Sequence, residues 1–474
     1  MESDISQAFQ KELTCFICLS CLTDPVTISC GHSFCQACLH LSWEDIECPV
    51  QCPMCREPAQ KKGLRTNIVL KELVSIARKA SLMKDLSSEE HKCVTHMETK
   101  RIFCAENRIF LCQLCSNSHE HRGHRHCPTE VAAEDQMQRL LEQMTCLWEK
   151  IQENQENIKA ENRMITLWME DGMREDKILC KYDWECFFLQ DYLTFREEMI
   201  RTEYRKLHPL LCEEEEKHIE SMGNEGQFVL EKLKTSEAMM FQKNKELRDM
   251  YQELMAMSQE PYVVLLQGLD DMFRRSESTQ LSMPQTTNPE LNALPITGLT
   301  ESYKQFQVHI FFENTIVFHH KMNIFNAMRR FIFRPHHKDT PADSAGCYFA
   351  SWRSKNSFTS GRYYWELDLK DTWDWAVGFC KDSWLRNRNQ LTDYEGAFLL
   401  VCVKEGSHYS LLTTCPVFQH YIKKPIGRVG VLLDCVDGSL SFLNVARSSL
   451  IYRYPPGTFN YQVKPFFLTG YTWS

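Results

Sequence analysis

Two runs of cysteine and histidine near the start of the chain have the residue types and spacings that hold metal ions. The first reads Cys15-x2-Cys18-x11-Cys30-x-His32-x2-Cys35-x2-Cys38-x13-Cys52-x2-Cys55. The second reads Cys93-x2-His96-x7-Cys104-x2-Asn107-x4-Cys112-x2-Cys115-x5-His121-x2-His124. A Cys-x2-Cys turn offers two thiolates to one ion, and zinc takes four ligands in a tetrahedron, so the eight ligands of the first run make two sites. A lone Cys-x2-Cys is as readily a turn or a redox pair, but four interlocking pairs at these spacings are not. Of 23 cysteines, 14 lie in the first 130 residues, interleaved with histidine. That distribution points to metal ligation in a reducing compartment rather than to a disulfide scaffold. Cys21 and Cys48 lie off the pattern and read as ordinary residues, with Cys48 a competitor of Cys52 in a misfolded register.

The rest of the chain must position these groups. Its 474 residues predict about three domains, and 43% hydrophobic with 25% charged residues is ordinary for a chain with buried cores. The net charge of −9, without a basic tract, argues against nucleic acid, whose phosphates demand a basic face. The N-terminal MESDISQAFQ lacks the basic and apolar parts of a signal peptide, and no run of 18 apolar residues is present to span a membrane. A soluble protein of the cytoplasm is expected, with the nucleus left open.

The first run, with its order of three cysteines, one histidine and four cysteines, resembles a RING finger. The resemblance implies a cross-braced pair of zinc sites, Cys15, Cys18, Cys35 and Cys38 holding one ion and Cys30, His32, Cys52 and Cys55 the other. It also implies a partner, a ubiquitin-conjugating enzyme already loaded with ubiquitin, and no nucleophile in the finger itself. Ile17 and Pro53 match the family's apolar contact positions, and Leu41 or Trp43 would complete that groove. Arg56 matches the arginine that bridges ubiquitin and the conjugating enzyme, a task suited to its forked donors; a solvated surface arginine is the plainer alternative. Ile5, Phe9 and Leu13 recur every four residues before the finger, and Leu70, Leu73, Val74 and Ala77 share a face after it. Such flanks either pair two fingers or pack on their own.

The second run resembles a type-two B-box, again with two zinc sites. Cys93, His96, Cys112 and Cys115 complete one. The other would use Cys104, His121 and His124, with Asn107 where the family has aspartate. Losing that carboxylate leaves one anionic ligand and a weakened structural site, to which the Asn107 carbonyl or the Glu106 carboxylate could contribute. His119 and His126 fall off the pattern and read as exposed.

From about 130 to 260 the chain is rich in Glu, Lys, Gln and Met and nearly free of Gly and Pro, which predicts long helices. Leu140, Met144, Leu147, Ile151, Ile158, Ile165 and Trp168 keep a four-three spacing, with Asn154 and Glu161 as polar interruptions. This is the seam of a coiled coil; the alternative is packing inside a bundle. One unbroken helix of about 125 residues would run about 190 Å, with a break near His208 and Pro209. The acidic run 213–216 reads as a solvated face. A polar segment with prolines, 276–298, reads as a linker.

Beyond it, FTSGRYYWELDL (358–369), WDWAVGFC (373–380), GAFLLVCV (396–403) and VGVLLDCVDGSLSFLNV (429–445) resemble a PRY-SPRY domain. Residues 364–369 alternate as a half-buried strand does, and Asp437-Gly438 signals a hairpin. The resemblance implies a two-sheet all-β sandwich that binds protein through the loops 334–347, 384–394 and 415–424, with its PRY part around 308–333. Trp373, Trp375 and Trp384 are either pocket or core, and Trp365 is core.

RING, B-box, coiled coil and SPRY in this order resemble the tripartite-motif family, near a branch seen in germ-line and early-embryo proteins. The expected organisation is 1–80 RING with flanking helices, 88–130 B-box, 131–265 antiparallel coiled coil, 266–300 linker and 301–474 PRY-SPRY. The resemblance implies a zinc-holding homodimeric ubiquitin ligase that transfers ubiquitin to a protein captured by its SPRY domain. The competing reading is a non-enzymatic scaffold or innate-immune recognition protein with a structural RING. A DNA-reading zinc finger is excluded by the spacings, which lack that class's twelve-residue gap and reading helix, and by the acidic charge.

Overall fold

The computed structural model describes residues 11–44, 46, 49–61, 64–88, 91–169, 189–207, 211–310, 312–317, 324–325, 328, 349–354, 358–369, 374–381, 384, 396–405, 408–424 and 427–469. Ile5, Phe9, Cys48, His208, Pro209, Trp373, the loop 334–347 and all of 384–394 except Trp384 lie outside them. The chain forms two compact units, residues 1–160 with 236–286, and residues 161–235 with 287–474.

In the first unit the RING is built from minimal elements. Strands β1 (Pro25–Thr27), β2 (Ser33–Cys35), β3 (Val50–Gln51), β4 (Pro58–Ala59) and β5 (Arg65–Thr66) surround helix α1 (Gln36–Trp43). They form one sheet in the order β2-β1-β5 and a separate β3-β4 pair. Helix α2 (Ile68–Leu86) follows, capped by Asn67, whose side chain accepts from the Leu70 amide at 3.0 Å. Its Leu70, Leu73, Val74 and Ala77 pack on the RING core of the same chain, as does Leu13. These described flank residues pack on their own finger, while Ile5 and Phe9 lie outside the described residues. The B-box comprises β6 (Ile102–Cys104), β7 (Ile109–Leu111), α3 (Gln113–Ser116) and β8 (His126–Pro128), with sheet order β7-β6-β8.

The middle of the chain is helical: α4 (Thr129–Met169), α5 (Leu189–Leu207), α6 (Cys212–Gln259) and α7 (Tyr262–Leu281). One unbroken helix over 130–260 is not formed: α4, α5 and α6 are separate helices. Helix α5 ends at Leu207 and α6 begins at Cys212, on either side of the expected break near His208 and Pro209. Pro261, which has no N–H to offer, then separates α6 from α7. Leu140, Met144, Leu147 and Ile151 of the seam are buried against Leu247, Met250, Tyr251 and Leu254 of α6 and Leu265, Leu266, Leu269 and Phe273 of α7. The stripe is therefore satisfied inside one chain, each fully buried Leu or Ile contributing about 1.5–3 kcal/mol. Asn154 is wholly buried and donates to the Met240 carbonyl at 2.8 Å, so the polar interruption has a partner. The side chain of Trp168 lies outside the described residues. The first part of the expected 266–300 linker, through Leu281, is instead helical, the greater part of α7, which buries Leu266, Leu269 and Phe273.

The second unit is an all-β sandwich bearing helices. A seven-stranded sheet runs in the order β15-β14-β13-β12-β19-β10-β9, and a four-stranded sheet in the order β11-β16-β17-β18. Here α8 (Leu299–Lys304) precedes β9 (Phe312–Val317), β10 (Phe349–Ser354), β11 (Arg362–Asp368), β12 (Trp375–Lys381), β13 (Ala397–Glu405) and β14 (His408–Thr413). The remaining strands are β15 (Phe418–His420), β16 (Arg428–Asp434), β17 (Ser439–Asn444), β18 (Ser449–Tyr454) and β19 (Val463–Thr469). The β16–β17 hairpin turns through Asp437 and Gly438, where φ is +70° and a Cβ would meet the Phe459 carbonyl oxygen at 2.4 Å, so glycine is required.

Strand β11 does not alternate: Tyr364 and Trp365 are both buried, because α8 and the segment after it cover the outer face and bring the Tyr303 ring 5.9 Å from Tyr364. Helix α5 lies on β18, with Arg196 donating to the carbonyls of Leu450 and Ile451 at 2.9 Å each. Glu203 of α5 pairs with Arg453 of β18, the two side chains 1% and 3% exposed, and also accepts from Tyr303 Oη at 2.8 Å. The acidic run at the start of α6 is not merely solvated, since Glu214 accepts from Tyr204 Oη at 2.9 Å and Glu215 pairs with Arg201 at 3.0 Å.

A buried pair costs most when one partner is removed, since the other charge is stranded. Arg453→Met is expected to destabilise this unit by about 3–5 kcal/mol, read as a lower urea midpoint. Pairing it with Glu203→Leu should recover much of that loss. An unchanged midpoint for the single variant would place the pair in water.

Candidate metal centres

The ligand atoms of the two runs converge into four groups, in each of which they all lie within 4.8 Å of one another. The groups are Cys15, Cys18, Cys35 and Cys38; Cys30, His32, Cys52 and Cys55; Cys93, His96, Cys112 and Cys115; and Cys104, His121 and His124. Zn–S bonds of 2.3 Å at tetrahedral angles put neighbouring sulfurs about 3.8 Å apart, and sulfur and imidazole nitrogen about 3.5 Å. Cys18 Sγ stands 4.0 Å from Cys35 Sγ, and Cys93 Sγ 3.7 Å from Cys115 Sγ. His32 Nδ1 lies 3.3 Å from Cys30 Sγ and 3.6 Å from Cys52 Sγ, while His96 Nδ1 lies 3.4 Å from both Cys112 and Cys115. The donor sets fit zinc. Within the RING the two groups interleave along the chain, so β1, β2 and α1 are fastened from both sides. Cys21, off the pattern, joins no group.

Backbone amides are aimed at the sulfurs as well: Thr23 N–H at Cys35 Sγ (3.1 Å), Met54 N–H at Cys52 Sγ (3.3 Å) and Cys115 N–H at Cys112 Sγ (3.4 Å). Such donors stabilise thiolate. Hydrogen bonds from Cys18, Cys35 and Cys38 pull the Cys15 thiol far below its ordinary range, and the same contacts with Cys15 push Cys35 and Cys38 far up. In the B-box, the His96 amide helps bring Cys93 down to about 6, whereas burial and then the neighbouring thiols raise Cys115 to about 12. Without a cation, the Cys15 and Cys93 groups keep some sulfurs protonated, and a dication allows all to ionise.

Ile17 sits between the first two ligands of the RING, and Pro53 and Arg56 sit in and just after the Cys52–Cys55 turn. Pro53 and Arg56 are exposed, Ile17 borders on it, and Arg56 takes a left-handed φ of +62°. Phe16, Leu19 and Met54 are exposed beside them, an apolar surface that ligand spacing did not reveal. Neither Leu41 nor Trp43 completes an open groove. Trp43 is buried in the RING core with Nε1 donating to the Gln51 carbonyl at 2.9 Å, and Leu41 packs on the helical core.

The same face of α1 is docked on the helices of its unit. The His40 ring stacks on Trp148 with centroids 4.4 Å apart and planes 10° from parallel. The Glu44 carboxylate accepts from Arg248 Nε and Gln155 Nε2, each at 2.8 Å. Arg78 joins Thr23 Oγ1 (2.8 Å) to the Ser258 carbonyl (2.9 Å). Burial holds His40 down to about 4 and thus neutral.

In the B-box, His119 is exposed as expected, whereas His126 is half-buried with its ring 6.5 Å from that of His124. In the sandwich, Trp365 and Trp375 are core, and Trp384 meets the Phe466 ring edge-on at 5.7 Å. Segment 415–424 is not a free loop: Phe418 and His420 belong to β15, and both rings lie against Tyr192 of α5. Among the described residues no helix is long and apolar enough to cross a membrane.

Comparison with known proteins agrees with this layout. A RING-type zinc-finger family model matches residues 15–55, and a SPRY domain model matches 362–473. The chain is 44% identical to Tripartite motif-containing protein 43C of Mus musculus over 475 residues, covering 100% of both chains. It is 43% identical to Putative tripartite motif-containing protein 49B of Homo sapiens, covering 98% of this chain and 99% of that one. With Tripartite motif-containing protein 51G of Homo sapiens the identity is 40%, over 97% of each.

Interleaving makes the two RING groups interdependent. Cys35→Ala, which removes a ligand from the first, is expected to reduce the zinc counted by native mass spectrometry of the full chain by two ions. Loss of one ion alone would show the groups to be independent.

Proposed function

The chain belongs to the tripartite-motif family, and we propose that it works as a RING-type ubiquitin-protein ligase. In this reading it takes ubiquitin from a conjugating enzyme and delivers it to a protein held by its SPRY domain. The observation that carries the reading is the exposed surface of the two ligand loops. Phe16, Ile17, Leu19, Pro53 and Met54 present apolar area there, which is costly in water unless a partner covers it. Arg56 adds a forked cation at its edge. Zinc, when bound, supplies no reaction chemistry; it fixes the loops.

The chemistry then belongs to the partners. A target lysine amine attacks the thioester carbonyl, the conjugating enzyme's thiolate leaves, and an isopeptide bond forms. Ile17 and Pro53 dock the conjugating enzyme. Arg56 donates to ubiquitin and enzyme together, restricting the flexible thioester to reactive poses and lowering the entropic part of the barrier. The sandwich supports a capturing role through its match to the SPRY family over 362–473. The cytoplasm is the compartment in which thiol ligands and the ubiquitin system would meet.

Homodimerisation belongs to the same proposal. The seam of α4 is met by α6 and α7, and an antiparallel pair of chains can exchange those contacts without changing their chemistry. Light scattering of the purified full chain is expected to give twice the chain mass, and a monomer at micromolar concentration would remove the dimer from the account.

The activity is tested by in-vitro autoubiquitination of the full chain across a panel of conjugating enzymes. Cys15→Ala should abolish the ladder. Arg56→Ala should weaken it by roughly tenfold, the scale of one charged hydrogen bond. With zinc confirmed bound, no ladder from any loaded enzyme would sink the ligase and favour a scaffold.

A further inference from the structure

We propose that Asn107 completes the second B-box site through its carboxamide oxygen, and that the resulting Cys104–Asn107–His121–His124 site gives up zinc more readily than the other three. The inference does not depend on the ligase reading. Cys104 Sγ is fully buried and has His124 Nδ1 at 3.5 Å and Asn107 Oδ1 at 3.4 Å. Both separations match neighbouring vertices of a zinc tetrahedron. His121 is 8% exposed, and its Nδ1 is buried with no hydrogen-bond partner. A buried imidazole nitrogen left unpaired is costly, and His121 offers a ring nitrogen to the same group as Cys104 and His124.

The neighbouring carboxylate is otherwise engaged. Glu106 accepts from the Arg125 backbone amide at 2.8 Å and from Arg125 Nε at 3.2 Å, and its Oε2 stays 3.9 Å from Cys104 Sγ. It stands outside the first layer of ligands, its charge already matched by Arg125. Asn107 is thus the oxygen in place, and it is neutral.

Charge then ranks the four sites. One group offers four thiolates, two offer three each, and the Cys104 group offers one. With Zn²⁺ bound, only this last site keeps a net positive charge, so it attracts the ion least. A family aspartate at 107 would have neutralised it. The consequence is a finger with one firmly held ion and one that loads and unloads with free zinc.

The test uses the full chain, zinc-loaded, placed in a series of chelator-buffered free-zinc concentrations, with bound ions counted by native mass spectrometry. One ion of four should leave at a free-zinc level roughly 10- to 100-fold above that at which the others leave, the scale on which changes around a metal alter affinity. Asn107→Asp should move that ion into the group of three, and Asn107→Ala should weaken it further while leaving three ions bound. Four ions leaving together would overturn the proposal. So would three ions at saturating zinc, or an Asn107→Ala variant that titrates like the parent.

Discussion

Up to four thiols held within 4.8 Å of one another cannot all ionise unless a dication stands among them. The N-terminal fold depends on that constraint. The strands of the RING and B-box are two or three residues long, too short to hold a sheet by ladder bonds alone, and many of the best-buried side chains there are the ligands themselves. Removing the cation would return several sulfurs to the thiol form and leave their amide donors facing neutral partners. Loop positions that present Ile17, Pro53 and Arg56 are consequences of this charge balance, one layer removed.

The C-terminal unit rests on different physics. Its sandwich has a large apolar core, yet the helix laid upon it is fixed by polar groups: Arg196 on two carbonyls, and Glu203 shared by Arg453 and Tyr303. Apolar packing tolerates sliding, whereas a buried, paired charge permits one register. Burial also keeps His420 neutral there, pushed down to about 3 while Nε2 stays 3.1 Å from Thr413 Oγ1.

What could be read in advance followed the range of the interactions. The four groups that converge between Cys15 and His124 were legible as clusters able to hold a metal because a chelating turn is local, and its spacing is the chemistry. The seam from Leu140 to Ile151 was legible as buried, since periodicity reports a stripe. It carries no information on what covers that stripe, and the cover proved to be α6 and α7 of the same chain. Tyr364 broke the expected alternation because residues near Tyr303 return over its outer face, a contact made at long separation. The same limit hid the burial of Trp43 and the place of Phe418 and His420 beneath Tyr192. Nothing in the ligand spacing signals that Glu44 would find Arg248.

The docking of α1 bears on how far the finger can be treated as a portable cassette. Its His40 ring shares a stack with Trp148, and Glu44 draws two donors from helices more than a hundred residues away in sequence. Excised, the finger would keep its metal ligands and lose the neighbours of Leu41 and His40, exposing an oily flank beside an unmatched carboxylate. Exchange between relatives would therefore have to carry the matching stretch of helix as well, so that finger and helices drift as one inherited block.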